Sequence, residues 1–175
     1  HLEDALSRTR RIARPFIEVG CLAHLAMAAP LTGQPLPLSL ELSERALAIA
    51  REHGWTDQPM TIGAFAMAGA ALMRMGRFPE AERHLARAEQ ALRVAGDPAA
   101  ELALRHAYGL LRFGEGRYDE ARAEFARALE LGRLLAGEHM FTPDLSDRSL
   151  QVLVRMGDLE SAERTLAGLS AEERN

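Results

Sequence analysis

Gly116-Arg117-Tyr118-Asp119-Glu120-Ala121, continued by Phe125 and Ala128, is the stretch on which the reading of this chain turns, because it recurs. Forty residues earlier stands Gly76-Arg77-Phe78-Pro79-Glu80-Ala81, and 41 residues later Gly157-Asp158-Leu159-Glu160-Ser161-Ala162. A degenerate copy begins at Gly33, 43 residues before Gly76, where Gln34-Pro35-Leu36-Pro37-Leu38 carries prolines suited to a helix start rather than a helix interior. Four units with a period of 40 to 43 residues mark an array of stacked helical hairpins.

The pattern inside a unit has a physical reading. Glycine at the turn can adopt the left-handed conformation that ends one helix, and the aromatic residue or Leu two positions on anchors the next. Ala81, Leu85, Ala88 and Leu92 then recur at helical spacing, as do Ala121, Phe125, Ala128 and Leu131, and Ala162 with Leu166. Small residues at 81, 121 and 162 let paired helices approach closely. Upstream of each turn lies a second apolar run, and Asp97-Pro98 is a start signal with Asp as N-cap and Pro at the first helical position.

These signals place helices near 2–13, 15–29, 37–53, 59–75, 78–94, 98–114, 118–135, 143–156 and 158–168. No segment alternates with period two, so no sheet is expected. Short connections force neighbouring helices to pack antiparallel. The expected fold is all-α, a single domain over 1–175 in which stacked hairpins form a right-handed superhelix with a concave and a convex surface. Leu2 to Ala13 reads as the second helix of an earlier hairpin, with apolar surface exposed at that end, and the chain as a fragment of a larger multidomain protein.

Composition excludes several functions. The 175 residues are 47% hydrophobic with a formal net charge of -4, enough apolar residues for a sizeable core. The longest stretch without charge or proline, Met60 to Met73, falls short of the roughly 20 apolar residues a bilayer crossing needs. The single Cys21 cannot form an internal disulfide, and the start shows no secretory signal, so the reading is cytoplasmic. All 21 basic residues are Arg. A chain without Lys has no phosphate-cradling G-x-x-x-x-G-K-[ST] and no Schiff-base site. The mildly acidic balance argues against direct nucleic-acid binding.

Gly116-x-Tyr118-x-x-Ala121-x-x-x-Phe125-x-x-Ala128, with Gly109 seven residues before the turn, resembles the tetratricopeptide repeat; Gly69, Gly76, Phe78, Ala81, Leu85 and Ala88 repeat it. Units of 40 or more residues exceed the roughly 34 usual in that family. Longer hairpins of this sort resemble the helical domain of MalT-type, ATP-dependent LuxR-family transcriptional regulators. Four phrases carry the narrower likeness: Gly20-Cys21-Leu22-Ala23-His24-Leu25-Ala26, Ala48-Ile49-Ala50-Arg51-Glu52-His53-Gly54-Trp55, Ala91-Leu92-Arg93 before Gly96-Asp97-Pro98, and Arg155-Met156-Gly157-Asp158-Leu159-Glu160-Ser161-Ala162. This resemblance implies a P-loop ATPase domain before the repeats, a DNA-binding helix-turn-helix domain after them, and a small-molecule inducer that drives self-association. The sequence itself contains neither flanking module, so the resemblance implies that it is the sensor and interaction part.

The residues offer little catalytic chemistry. His1, His24, His53, His84, His106 and His139 are scattered, without H-E-x-x-H or a Cys at ligand spacing, and no metal site or cofactor is expected. Glu80 and His84 share a helix face and read as a solvated pair. Ser39, Ser43, Ser146 and Ser149 lack the G-x-S-x-G elbow. Cys21 reads as a packed core residue, Trp55 as a plug on a turn, and the cluster Arg8, Arg10, Arg11 and Arg14 as charges favoured near a helix C-terminus. An enzyme is not expected.

The resemblance instead implies a groove lined by the first helix of each hairpin, about ten, six and three residues before each turn glycine. That register gives Ala23, Met27 and Pro30; Ala66, Ala70 and Met73; His106, Leu110 and Phe113; and Asp147, Gln151 and Val154. Small and flexible apolar side chains leave room there, while His106, Asp147 and Gln151 supply directional polar groups, the make-up of a pocket for a small effector or a peptide. Two functions follow from different classes: the effector-binding sensor of a MalT-type regulator, and a general tetratricopeptide protein-interaction scaffold unrelated to transcription.

Overall fold

Helix starts and stops follow from local chemistry at each boundary. A computed structural model describes residues 14–135 and 142–172. Its helices are α1 (Pro15–Leu31), α2 (Leu36–Glu52), α3 (Ile62–Arg74), α4 (Phe78–Ala95), α5 (Pro98–Gly114), α6 (Tyr118–Leu134), α7 (Thr142–Met156) and α8 (Leu159–Glu172), and no strand occurs among the described residues. The helix expected over 2–13, with its exposed apolar end, lies outside the described residues.

Each hairpin turn closes in the same way. At Gly76, in the left-handed region at φ 75°, the glycine N–H reaches the Met73 carbonyl and the Arg77 N–H reaches back to Leu72. That pair of bonds is the Schellman closure, which satisfies carbonyls that a helix end leaves bare. The same two bonds recur at Gly116, where Arg117 N–H reaches Arg112, and at Gly157, where Asp158 N–H reaches Leu153. The next helix is then fixed by its first residues. Arg77 forks onto Glu80 at 2.7 Å and Arg117 onto Glu120 at 2.7 and 2.6 Å, whereas Asp158 accepts the Ser161 N–H directly at 3.1 Å.

Most boundaries fall within two residues of the sequence expectation, α8 runs four residues further, to Glu172, and one helix start differs in kind. The run expected as a helix over 59–75 opens with a 3-10 turn, Pro59–Thr61, before α3 begins. Thr61 is buried, and its hydroxyl donates to the Thr56 and Gln58 carbonyls at 3.0 and 2.8 Å, which holds the chain in the tighter turn.

The chain divides into two compact units, one ending at Ala100 and the other beginning at Glu101. In the first, α1 packs on α2, α2 on α3, α3 on α4, and α1 also lies against α3. Its buried apolar residues include Leu22, Leu47, Phe65, Leu72, Leu85 and Leu92 with several alanines, and Cys21 is buried as well. The buried Ser39 hydroxyl donates to the Ala26 carbonyl at 2.7 Å and ties α2 to α1. In the second unit Leu102, Ala121, Phe125, Ala128, Leu145 and Val152 form one cluster from α5, α6 and α7, and α7 packs in turn on α8.

Small residues seven positions before the turn make the close approach possible. A Cβ on Gly69 would come within 2.7 Å of Leu85, and one on Gly109 would collide with the ring of Phe125. Ala26 holds the corresponding place before Gly33, and Leu42, nine residues after that turn, is buried. Before Gly157 the place is taken by Leu150, and Leu166, which the helical spacing marks as a core position, is 53% exposed. The fourth unit thus has leucine where the others have glycine or alanine.

Candidate functional site

The first helices of the hairpins carry the residues that the register singles out, and the two units present different chemistry. In the first unit Met27 lies on α1 and Met73 on α3, both half-buried, with Ala66 and Ala70 half-buried beside Met73. Ala23 is buried, within van der Waals range of the place a Cβ on Gly63 would occupy, so α1 and α3 approach closely there. This face is apolar and made of small or flexible side chains.

The second unit is polar at the matching level. His106 on α5 is buried, and its Nε2–H donates to Asp144 Oδ2 on α7 at 2.6 Å. A carboxylate only accepts, so this contact fixes the proton on Nε2. Arg148 Nε stands 3.3 Å from Asp144 Oδ1, and Arg148 Nη1 donates to Gln151 Oε1 at 3.1 Å. His106, Asp144, Arg148 and Gln151 thus form a continuous polar chain joining two first helices. Asp147 is exposed beside it. Leu110 and Phe113 are partly buried and pack on the core cluster, and the Phe113 ring stands 5.6 Å from that of Tyr118.

The geometry gathers His106 and Gln151 through two residues the register did not select, Asp144 and Arg148. Their sequence signal is an acidic and a basic residue four apart, an arrangement that pairs on a helix face. His106 is therefore a tie between hairpins, while Asp147 and Gln151 are exposed and Asp144 and Arg148 keep part of their side chains in solvent. Glu80 and His84, read as a solvated pair, each have a further partner. Glu80 binds Arg77, while His84 Nε2 lies 3.5 Å from Glu44 Oε1 on α2 and its Nδ1 is buried without a hydrogen-bond partner. Burial pushes the His84 imidazolium below the ordinary histidine range, against the opposing pull of Glu44. Trp55 packs on the turn as expected, stacked on His53 at 4.5 Å and edge-on to Phe16 at 5.7 Å.

Between α5 and α6 runs a network of exposed and half-buried ions. Arg127 donates to Glu101 at 2.8 Å, which holds that carboxylate below its usual range, and Arg105 lies 3.5 Å from Glu124. Each cation here faces a carboxylate. Among the described residues no group of three or more His, Cys, Asp or Glu is arranged to hold a metal ion, and no helix is long and apolar enough to cross a membrane.

A tetratricopeptide repeat family model matches residues 61–131, the segment that contains both glycine notches. The chain carries tetratricopeptide-like repeats. Among solved structures it is similar to BtubC (BKLC) from P. vanneervenii, with 22% identity and a TM-score of 0.73 over 97% of this chain and 72% of that one. It is also similar to a putative kinesin light chain with nearly identical tetratricopeptide-like repeats from Podosopora anserina and to a single-substitution variant of that protein. These score 0.70 at 18% and 19% identity, and each match covers 97% of this chain and 76% of the other. No curated protein matches the sequence. The likenesses establish the all-helical repeat fold, and none of the three structures is described as a transcriptional regulator.

Proposed function

We propose that residues 1–175 are one non-catalytic protein-interaction module, whose first helices present the binding surface and whose second helices supply support. The observation that carries this reading is the placement of Met27, Met73, Asp147 and Gln151. All four lie on first helices and keep part of their side chains in solvent, while the repeat cores are closed by alanine, leucine and phenylalanine. Repeat arrays bind through surfaces of this kind because each hairpin adds a few contacts to a continuous face. A photo-crosslinking residue placed at Ala70 or Gln151 in the protein's native host tests it. Polypeptide adducts from those two positions, and none from exposed Arg83 on α4, are expected. Adducts equal at all three positions, or none at Ala70 and Gln151, would contradict it.

A narrower reading makes the same surface the effector site of a MalT-type regulator, with flanking ATPase and DNA-binding domains and ligand-driven self-association. Its support is the set of four sequence phrases around Gly20, Gly54, Gly96 and Gly157. Sequencing the gene on both sides of this segment decides it: G-x-x-x-x-G-K-[ST] upstream with a helix-turn-helix downstream supports the regulator, and a reading frame without them removes it.

A further inference from the structure

We propose that α8 is a movable helix, which docks on α7 and leaves it by opening at the Gly157 turn while the cluster of α5, α6 and α7 stays folded. The second helices of the hairpins are anchored unequally. α4 is seated by Leu85 and Leu92 and α6 by Phe125, all buried, with buried alanines beside them. Of the described side chains of α8, Ala162 alone is buried, while Leu159 is 60% and Leu166 53% exposed. The difference arises inside each hairpin. Leu85 and Phe125, nine residues after their turn glycines, lie where a side chain on Gly69 or Gly109 of the preceding first helix would stand. In the fourth hairpin the corresponding residues are Leu166 and Leu150, and the seat that glycine offers is missing.

The stability of the docked state follows from these residues. An isolated helix of 14 residues is marginal in water, so α8 depends on what it buries against α7. Apolar burial stabilises in proportion to its area, and one alanine methyl supplies a small part of what Leu85 with Leu92, or Phe125, supplies. Polar contacts add no second anchor. Asp158 accepts the Ser161 N–H, Arg164 donates to the Ser161 hydroxyl and the Thr165 hydroxyl donates to the Ser161 carbonyl, all within α8 and its cap. Among the described residues, no side-chain hydrogen bond of α8 crosses to α7, in contrast to the Ser39 bond that ties α2 to α1. α7 keeps its own seat without α8, because Leu145 and Val152 belong to the cluster with Leu102 and Phe125. Gly157, at φ 77°, has the backbone freedom that a hinge requires.

The test is native-state amide exchange of the full chain, followed by NMR in water and in low urea. Amides of residues 165–167 are expected to exchange at least about tenfold faster than those of residues 150–153 in α7, with little dependence on urea, as a local opening requires. Ala162→Asp puts a charge on the one buried contact. It is expected to remove protection throughout α8 while α6 and α7 keep theirs within about threefold. Exchange in α8 as slow as in α7 with the same urea dependence would overturn the proposal, because α8 would then belong to one cooperative unit. Loss of α6 and α7 protection in Ala162→Asp, or α8 protection that survives it, would overturn it as well.

Discussion

Glycine stands in three different settings in this chain, and substitution separates them. Gly116 is needed for its left-handed backbone at φ 76°, and alanine there should cost about 1–2 kcal/mol. Gly109 has helical geometry and is needed for the absence of a side chain, because Phe125 lies where a Cβ would stand. Gly109→Ala should cost about 1–3 kcal/mol through overpacking. Gly20 meets neither constraint, so Gly20→Ala should stabilise α1 by about 0.5–1 kcal/mol. Urea unfolding of the three variants checks this order, and equal costs at 109 and 20 would contradict the notch. His84 gives a separate residue-scale prediction. Its folded-state proton affinity lies below the unfolded value of about 6.5, so its contribution is present above that pH and is lost as pH falls toward the folded value. The groups around it are Glu44 and Glu80, which favour the charged form, and Arg83 and Arg51, which oppose it. Thermal stability should decline between pH 7 and 5, and less steeply in His84→Gln.

At the scale of elements, the hairpins were legible because their signals are local. Turn glycines, proline starts and the spacing of Ala81, Leu85 and Ala88 act within a few residues, and the helices fall where those signals put them. The 3-10 opening at Pro59–Thr61 was not legible, since it depends on a threonine hydroxyl turning inward to two carbonyls of the same loop. Nor was the tie between α5 and α7. His106 and Asp144 are 38 residues apart, and only the stacking of one hairpin on the next brings them to 2.6 Å. A double-mutant cycle of His106→Gln and Asp144→Asn should show a coupling of about 1 kcal/mol, at the lower end for a charge-assisted hydrogen bond because Asp144 keeps contact with water. A coupling near zero would make the contact incidental. In the fourth unit, where position 150 is leucine and Leu166 is exposed, Leu150→Gly should lower stability in urea unfolding, through lost apolar contacts and the backbone freedom of glycine.

For the molecule as a whole, repetition decides the fold and leaves the binding partner to the surface. The tetratricopeptide-like pattern was readable from glycine and alanine positions, whereas the contrast between an apolar face on α1 and α3 and a polar chain on α5 and α7 needed the structure, because the register treats all hairpins alike. Met27, Met73, Asp147 and Gln151 sit on first helices as the register requires. His106, from the same register, is drawn into the tie with Asp144. The central claim is that first helices bind and second helices support. Amide hydrogen exchange on the full chain, with and without a crosslink-identified partner, measures this most directly. The account predicts slowed exchange in α1, α3, α5 or α7 with α2, α4, α6 and α8 unchanged; protection confined to the second helices would contradict it.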